Sequence, residues 1–183
     1  MVSESKDQRK RKVCMVTYQE SPTGLPPMFN EGVSLAGAGF DVESLCLGGE
    51  TTPAEEQHAP GFRTRRFPVR TRKFFHSVLG HATRNPAVAA VQYVLSYGEY
   101  VTKAFAGAVG SGADLYEAHD LPALLPALLA AKVRRRPVLY RAHELWSETH
   151  AKVRFAGFWK LMDRSLVPLC DDVVTPEDDP GYT

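Results

Sequence analysis

Two hydrophobic periods alternate along this chain. Short apolar runs of strand length are separated by longer stretches with helical spacing. The first run, 12–18, carries Val13, Cys14, Met15 and Val16 and predicts a strand. A Pro/Gly loop over 20–27 follows, then a helix over 28–39 stopped by Gly37 and Gly39. Residues 41–47 predict a second strand, 48–61 a polar loop, and 62–69 a third strand with Pro68 near its end. Residues 70–83 are basic and amphipathic, with Phe74, Phe75, Val78 and Leu79 at helical spacing. Asn85-Pro86 predicts the next helix start, a cap followed by Pro at the first helical position, and Gly110-Ser111-Gly112 predicts its end. Strands are predicted over 114–118, 138–142 and 172–175. Between them lie helices over 122–133, with Pro126 predicting an irregular start, and over 151–168.

Repeated β-α-β order predicts an α/β fold: a Rossmann-like parallel sheet with helices on both faces. With the common strand order 3-2-1-4-5-6, the switch point falls between the first and fourth strands. Ligands of open parallel sheets bind at such a point, outside the carboxyl ends of the strands. The loop Ser21-Pro22-Thr23-Gly24 and His119 are then expected to face each other across one crevice.

Composition narrows this picture only a little. With 183 residues the chain can build one sizeable core, and the expected domain spans 12–176 between a charged tail over 1–11 and a linker from 177 to 183. A net charge of +1 selects no partner. Its distribution is uneven, because Arg63, Arg65, Arg66, Arg70, Arg72 and Lys73 occur without an intervening acid. Cys14, Cys46 and Cys170 are far apart and predict buried free thiols in a reducing compartment. The amino terminus lacks the apolar region of a signal peptide, so a cytoplasmic location is expected, with peripheral contact at the inner membrane surface open.

The chemistry concentrates at two predicted strand ends, Ala118-His119-Asp120 and Ala142-His143-Glu144. Each brings a histidine and a carboxylate to the sheet edge where ligands bind. A lone histidine there is as well explained by a backbone hydrogen bond; two such pairs on adjacent strands point to a site. Other patterns carry less. Gly37-Ala38-Gly39 closes a helix rather than opening one, which excludes a dinucleotide fingerprint. His143-Glu144 has Ser147 where a zinc-protease helix has its second histidine, so no metal is expected. The arginine run, with Phe62, Phe67, Phe74 and Phe75 interleaved, reads either as a solvated face or as a contact for an anionic membrane. Nucleic acid is the weakest partner for it, given the near-neutral charge.

The stretch Ala113-Asp114-Leu115-Tyr116-Glu117-Ala118-His119-Asp120-Leu121, followed by Leu128-Leu129-Ala130-Ala131 and by Pro137-Val138-Leu139-Tyr140-Arg141-Ala142-His143-Glu144-Leu145-Trp146, resembles the amino-terminal domain of family 4 glycosyltransferases. The segments 30–43 and 163–175 agree with it. The resemblance covers about residues 12–176 and implies one half of a GT-B architecture, two Rossmann-like domains facing a cleft. It implies transfer of a sugar from a nucleotide-sugar, a co-substrate, with retention of configuration and with no cofactor or metal.

Residue by residue, the resemblance implies that His143 is the catalytic position, as a hydrogen-bond donor to the transferred sugar. His119, Asp120 and Glu144 would orient a sugar or lipid-linked acceptor, and Gly24 belongs to the loop near the donor phosphates. The family holds its donor mostly in a second domain, through two glutamates separated by seven residues, and no pair here has that spacing. The chain alone is therefore expected to be inactive until a carboxyl-terminal domain completes it. The rival expectation is a non-catalytic subunit that binds an acceptor or membrane and recruits a separate donor-binding chain.

Overall fold

A computed structural model describes residues 9–49, 51–80, 85–143 and 155–175. Residues 1–8 of the expected tail over 1–11, the linker over 177–183, Glu144 and the start of the predicted last helix lie outside these residues. Residues 9–11 have no regular structure, and the first strand begins at Lys12.

Among the described residues, seven strands form one sheet: β1 (Lys12–Thr17), β2 (Asp41–Gly48), β3 (Glu55–Ala59), β4 (Phe62–Pro68), β5 (Leu115–His119), β6 (Val138–Arg141) and β7 (Asp172–Val174). Their order is β3-β4-β2-β1-β5-β6-β7, all parallel except β3. The six parallel strands follow the expected order, with the switch point between β1 and β5. The addition is β3, which occupies part of the expected polar loop. Its sequence, Glu-Glu-Gln-His-Ala, lacks apolar alternation. It is held by antiparallel pairing to β4, by Gln57, whose side-chain amide donates to the Phe62 carbonyl at 2.9 Å, and by a 2.7 Å bond between His58 and Thr64.

Among the described residues the helices are α1 (Pro26–Gly37), α2 (Thr71–Leu79), α3 (Pro86–Ser111), α4 (Leu121–Arg134) and α5 (Ala156–Leu166). Asn85 caps α3 by accepting from the Ala87 amide at 2.9 Å, and Gly112 ends it at φ 64°, as expected from the sequence. Pro126 does not make α4 irregular. Its missing N–H leaves the Pro122 carbonyl without a helical donor. The Tyr97 hydroxyl supplies that donor at 3.1 Å.

Alternation along the strands splits the core in two. Cys14, Val16, Leu45, Tyr116, Ala118 and Tyr140 face α3, α4 and Trp159 of α5. Val13, Met15, Val42 and Phe62 face Met28 of α1. Gly32 lets α1 approach closely, since a Cβ there would fall 2.6 Å from the Phe62 ring. All three cysteines are free, and burial pushes the Cys14 and Cys46 thiols up to about 12. Among the described residues, no helix is long and apolar enough to cross a membrane.

Candidate functional site

The carboxyl ends of β1, β5 and β6 stand side by side. Strand register sets Thr17 against His119 and His119 against Arg141. His119 is fully buried, and its Nδ1 lies 2.9 Å from Nε2 of His143. The two rings stack with centroids 5.2 Å apart and planes 9° from parallel. The two histidines read from the sequence therefore form one hydrogen-bonded pair.

Asp120 is joined to them through the backbone. Its Oδ1 accepts the His143 amide at 2.9 Å, and its own amide donates to the Arg141 carbonyl at 3.0 Å. It stands at the cap position of α4, yet its side chain makes no cap bond there. Its backbone has φ 67° and ψ 159°, a region that is essentially glycine's. Such strain clusters at functional sites, and here it turns the carboxylate away from the helix and onto His143.

Three further residues, not assigned to the site by the sequence reading, complete the network. Within β5, period-two alternation puts Glu117 on the same face as His119. Glu117 is buried, its Oε2 lies 3.8 Å from His119 Nε2, and its Oε1 lies 3.3 Å from Arg141 Nη2. The same Arg141 nitrogen bonds Glu31 of α1. Burial raises the Glu31 carboxyl to about 7, with the Glu117 charge adding to it and Arg141 opposing. Burial also works against the Glu117 charge, but His119 and Arg141 outweigh it and hold that carboxyl below its ordinary value. His143 is pushed down to about 4, first by burial and then by unfavourable electrostatics with His119 and Arg141. The imidazole of His143 is therefore neutral near pH 7, able to hold hydrogen bonds but not to carry a charge. The visible signal for Glu117 was a carboxylate inside an otherwise apolar central strand. Glu31 and Arg141 gave none.

Gly24 sits on the other side of β1. It ends a 3-10 turn, Pro22–Gly24, capped by Ser21. It lines a cavity of about 640 Å³ with Tyr18, Gln19, Glu20, Ser21, Thr23 and Leu47. A Cβ on Gly24 would meet nothing within 4 Å, so the backbone there is open to approach. The cavity lies toward β2, and His119 does not line it.

The basic run separates by strand face. Arg63 and Arg65 reach Glu43 at 3.2 and 3.7 Å, and Arg65 also donates to the Gly107 carbonyl. Arg66 is buried, bonds Glu56 at 2.5 Å and donates to the Glu20 carbonyl at 2.8 Å, which ties down the Gly24 loop. Arg70 and Lys73 are exposed at α2, beside Phe74 and Val78, each more than 60% exposed. The Arg72 side chain lies outside the described residues.

Among the described residues, Glu31, Glu117 and His119 offer ligand atoms within 4.8 Å of one another. Arg141 already sits between the two carboxylates as their cation. That arrangement suits a proton better than a second cation.

The family model of the glycosyl transferase 4-like domain matches residues 31–179. No curated protein matches the chain in sequence. Two structures of sucrose-phosphate synthase from Thermosynechococcus elongatus share its fold. One aligns with a TM-score of 0.62 at 13% identity, over 94% of this chain and 78% of that one. The other aligns with a TM-score of 0.58 at 14% identity, over 90% of this chain but only 42% of its own length.

Proposed function

Because the chain belongs to the glycosyl transferase 4-like domain family, we propose that it forms the amino-terminal, acceptor-binding half of a glycosyltransferase. Its fold is one Rossmann-like half of the GT-B architecture. The reaction is transfer of a sugar from a nucleotide-sugar, a co-substrate, to a lipid, polysaccharide or small glycoside acceptor. The donor is held by a second domain.

The observation that carries this reading is the hydrogen-bonded pair of His119 and His143 at the switch-point edge, with the strained Asp120 holding the His143 backbone. A neutral imidazole on a fixed ring can bind a sugar hydroxyl without presenting a charge. His143 takes the reaction-centre role, and His119 and Asp120 hold it and border the acceptor. Gly24 keeps its loop open for close backbone approach.

In the enzyme assembled with its donor domain, His143→Ala is expected to cut turnover strongly while the fold is retained. Turnover near that of the unaltered enzyme would refute the assignment. The intact mass of the protein from its source cells addresses the larger question. A mass near twice 20.2 kDa is expected if the donor domain is covalently attached.

A second reading rests on α2 and the start of α3. Phe74 and Val78 on α2, and Val91, Val94 and Leu95 on α3, are exposed beside Arg70 and Lys73. Apolar side chains among basic ones suit an anionic membrane surface. Glu99 anchors the start of α2 by accepting from the Arg70 and Thr71 amides at 3.0 and 2.8 Å. Under this reading the chain co-sediments with anionic liposomes at low salt and is released at high salt, because screening weakens surface attraction. Absence of binding at low salt would remove it.

A further inference from the structure

The polar chain behind His143 does more than fill space. It runs from Glu31 through Arg141 to Glu117, then to His119, and ends at His143. The atom that decides its behaviour is Nε2 of His119. It is fully buried, has no hydrogen-bond partner among the described residues, and faces a Glu117 oxygen 3.8 Å away.

When both rings are neutral, two imidazoles that meet nitrogen to nitrogen share one proton. One ring must donate and the other accept, and the atom at the far end of the pair sets the direction. At the His119 end that atom belongs to a carboxylate. A bare nitrogen lone pair pointed at a carboxylate is repelled, while an N–H is attracted, and the buried setting strengthens both effects. His119 therefore places its proton on Nε2. Its Nδ1 is then the acceptor of the 2.9 Å bond, and Nε2 of His143 must be the donor.

We propose that Glu117, acting through His119, fixes His143 as the Nε2–H tautomer, so that its Nδ1 is the lone-pair nitrogen available to accept a hydrogen bond from a ligand hydroxyl. This rests on the reading of His143 as the group at the reaction centre. It reverses the donor role that the family resemblance implied for that ring. Glu117 and His119 are positioning residues here, and Arg141 and Glu31 hold Glu117 in place.

The test is nitrogen NMR of the whole chain with labelled histidines, at mildly alkaline pH and with a chelator present. It needs neither sugar nor donor domain, so it separates from the turnover experiment on His143→Ala. In the unaltered chain, His143 is expected to show a protonated-type Nε2 and an unprotonated-type Nδ1. Glu117→Gln keeps the shape and a contact for Arg141 but removes the charge. The one-sided preference should then be lost, and the two His143 signals should move toward each other, while His58, outside the network, stays unchanged. A protonated Nδ1 on His143 in the unaltered chain would overturn the proposal, as would a Glu117→Gln spectrum identical at His143. If Glu117→Gln does not fold, the unaltered chain alone still decides the direction of the bond.

Discussion

Glu31→Gln should make the protein more stable at neutral and alkaline pH, although it removes an ion pair. The carboxyl of Glu31 is raised from 4.5 to about 7 by its burial and by the Glu117 charge. Between those values the folded state binds a proton that the unfolded state releases, so stability falls as pH rises through that window. The full shift corresponds to about 3 kcal/mol. Glu31 keeps 22% of its side chain exposed, and solvent screening lowers the expectation to about 2 kcal/mol. His143 acts with the opposite sign. Its value falls from 6.5 to about 4, so the unfolded state binds the extra proton and stability is lost as pH falls through that range. In the unaltered protein the two slopes oppose each other where the windows overlap.

Glutamine can still accept from Arg141 but never ionises beside Glu117. Urea unfolding of both chains across this pH range gives the comparison directly. The two chains should be equally stable below 4.5, and the variant should gain about 2 kcal/mol by pH 7 and above. The variant should also show the His143 slope uncovered, with stability rising from pH 4 to 6.5. A variant less stable than the original at alkaline pH would refute the reasoning. So would a difference that does not change with pH, since a purely structural loss has no titration window.

Two other substitutions test the scaffold around the histidines. Asp120→Ala should lose the bond to the His143 amide and keep the strained backbone, whereas Asp120→Gly loses the bond and releases the strain; the glycine variant should unfold about 1–3 kcal/mol later than the alanine variant. Equal stability of the two would mean that φ 67° at this position stores no strain. Tyr97→Phe should cost about 1–2 kcal/mol in urea unfolding, because it leaves the Pro122 carbonyl buried without a donor. No measurable loss would show that another donor reaches that carbonyl.

The order of the six parallel strands was legible because most are short apolar runs closed by turn chemistry, and the β-α-β rules leave few ways to arrange such runs. Strand β3 was not legible. Glu55–Ala59 buries little and owes its place to backbone pairing with β4 and to its polar side chains. The arginine run was only partly legible for a related reason. Read as a line, Arg63, Arg65 and Arg66 are one basic patch. Read on a strand, period two sends Arg63 and Arg65 to Glu43 on one face and Arg66 to Glu56 and the Gly24 loop on the other.

The same division runs through the site. His119, Asp120 and His143 could be found because they stand at strand ends, where topology alone says that ligands bind. What those residues can do could not be found that way. The neutrality of His143 depends on burial and on its electrostatics with His119 and Arg141, and Arg141 is in turn held by Glu31, 110 residues away in sequence. Glu31 follows Asn30 in an ordinary amphipathic helix, and nothing local distinguishes it from a solvent-facing acid. Only the fold brings Glu31 of α1 to Arg141 of β6, and only then do two carboxylates share one guanidinium. The location of this site is thus a property of the strand order, whereas its protonation is a property of contacts between distant elements. For that reason Glu31, which touches neither histidine among its described bonds, is the residue whose removal reports most directly on the electrostatics of the pair.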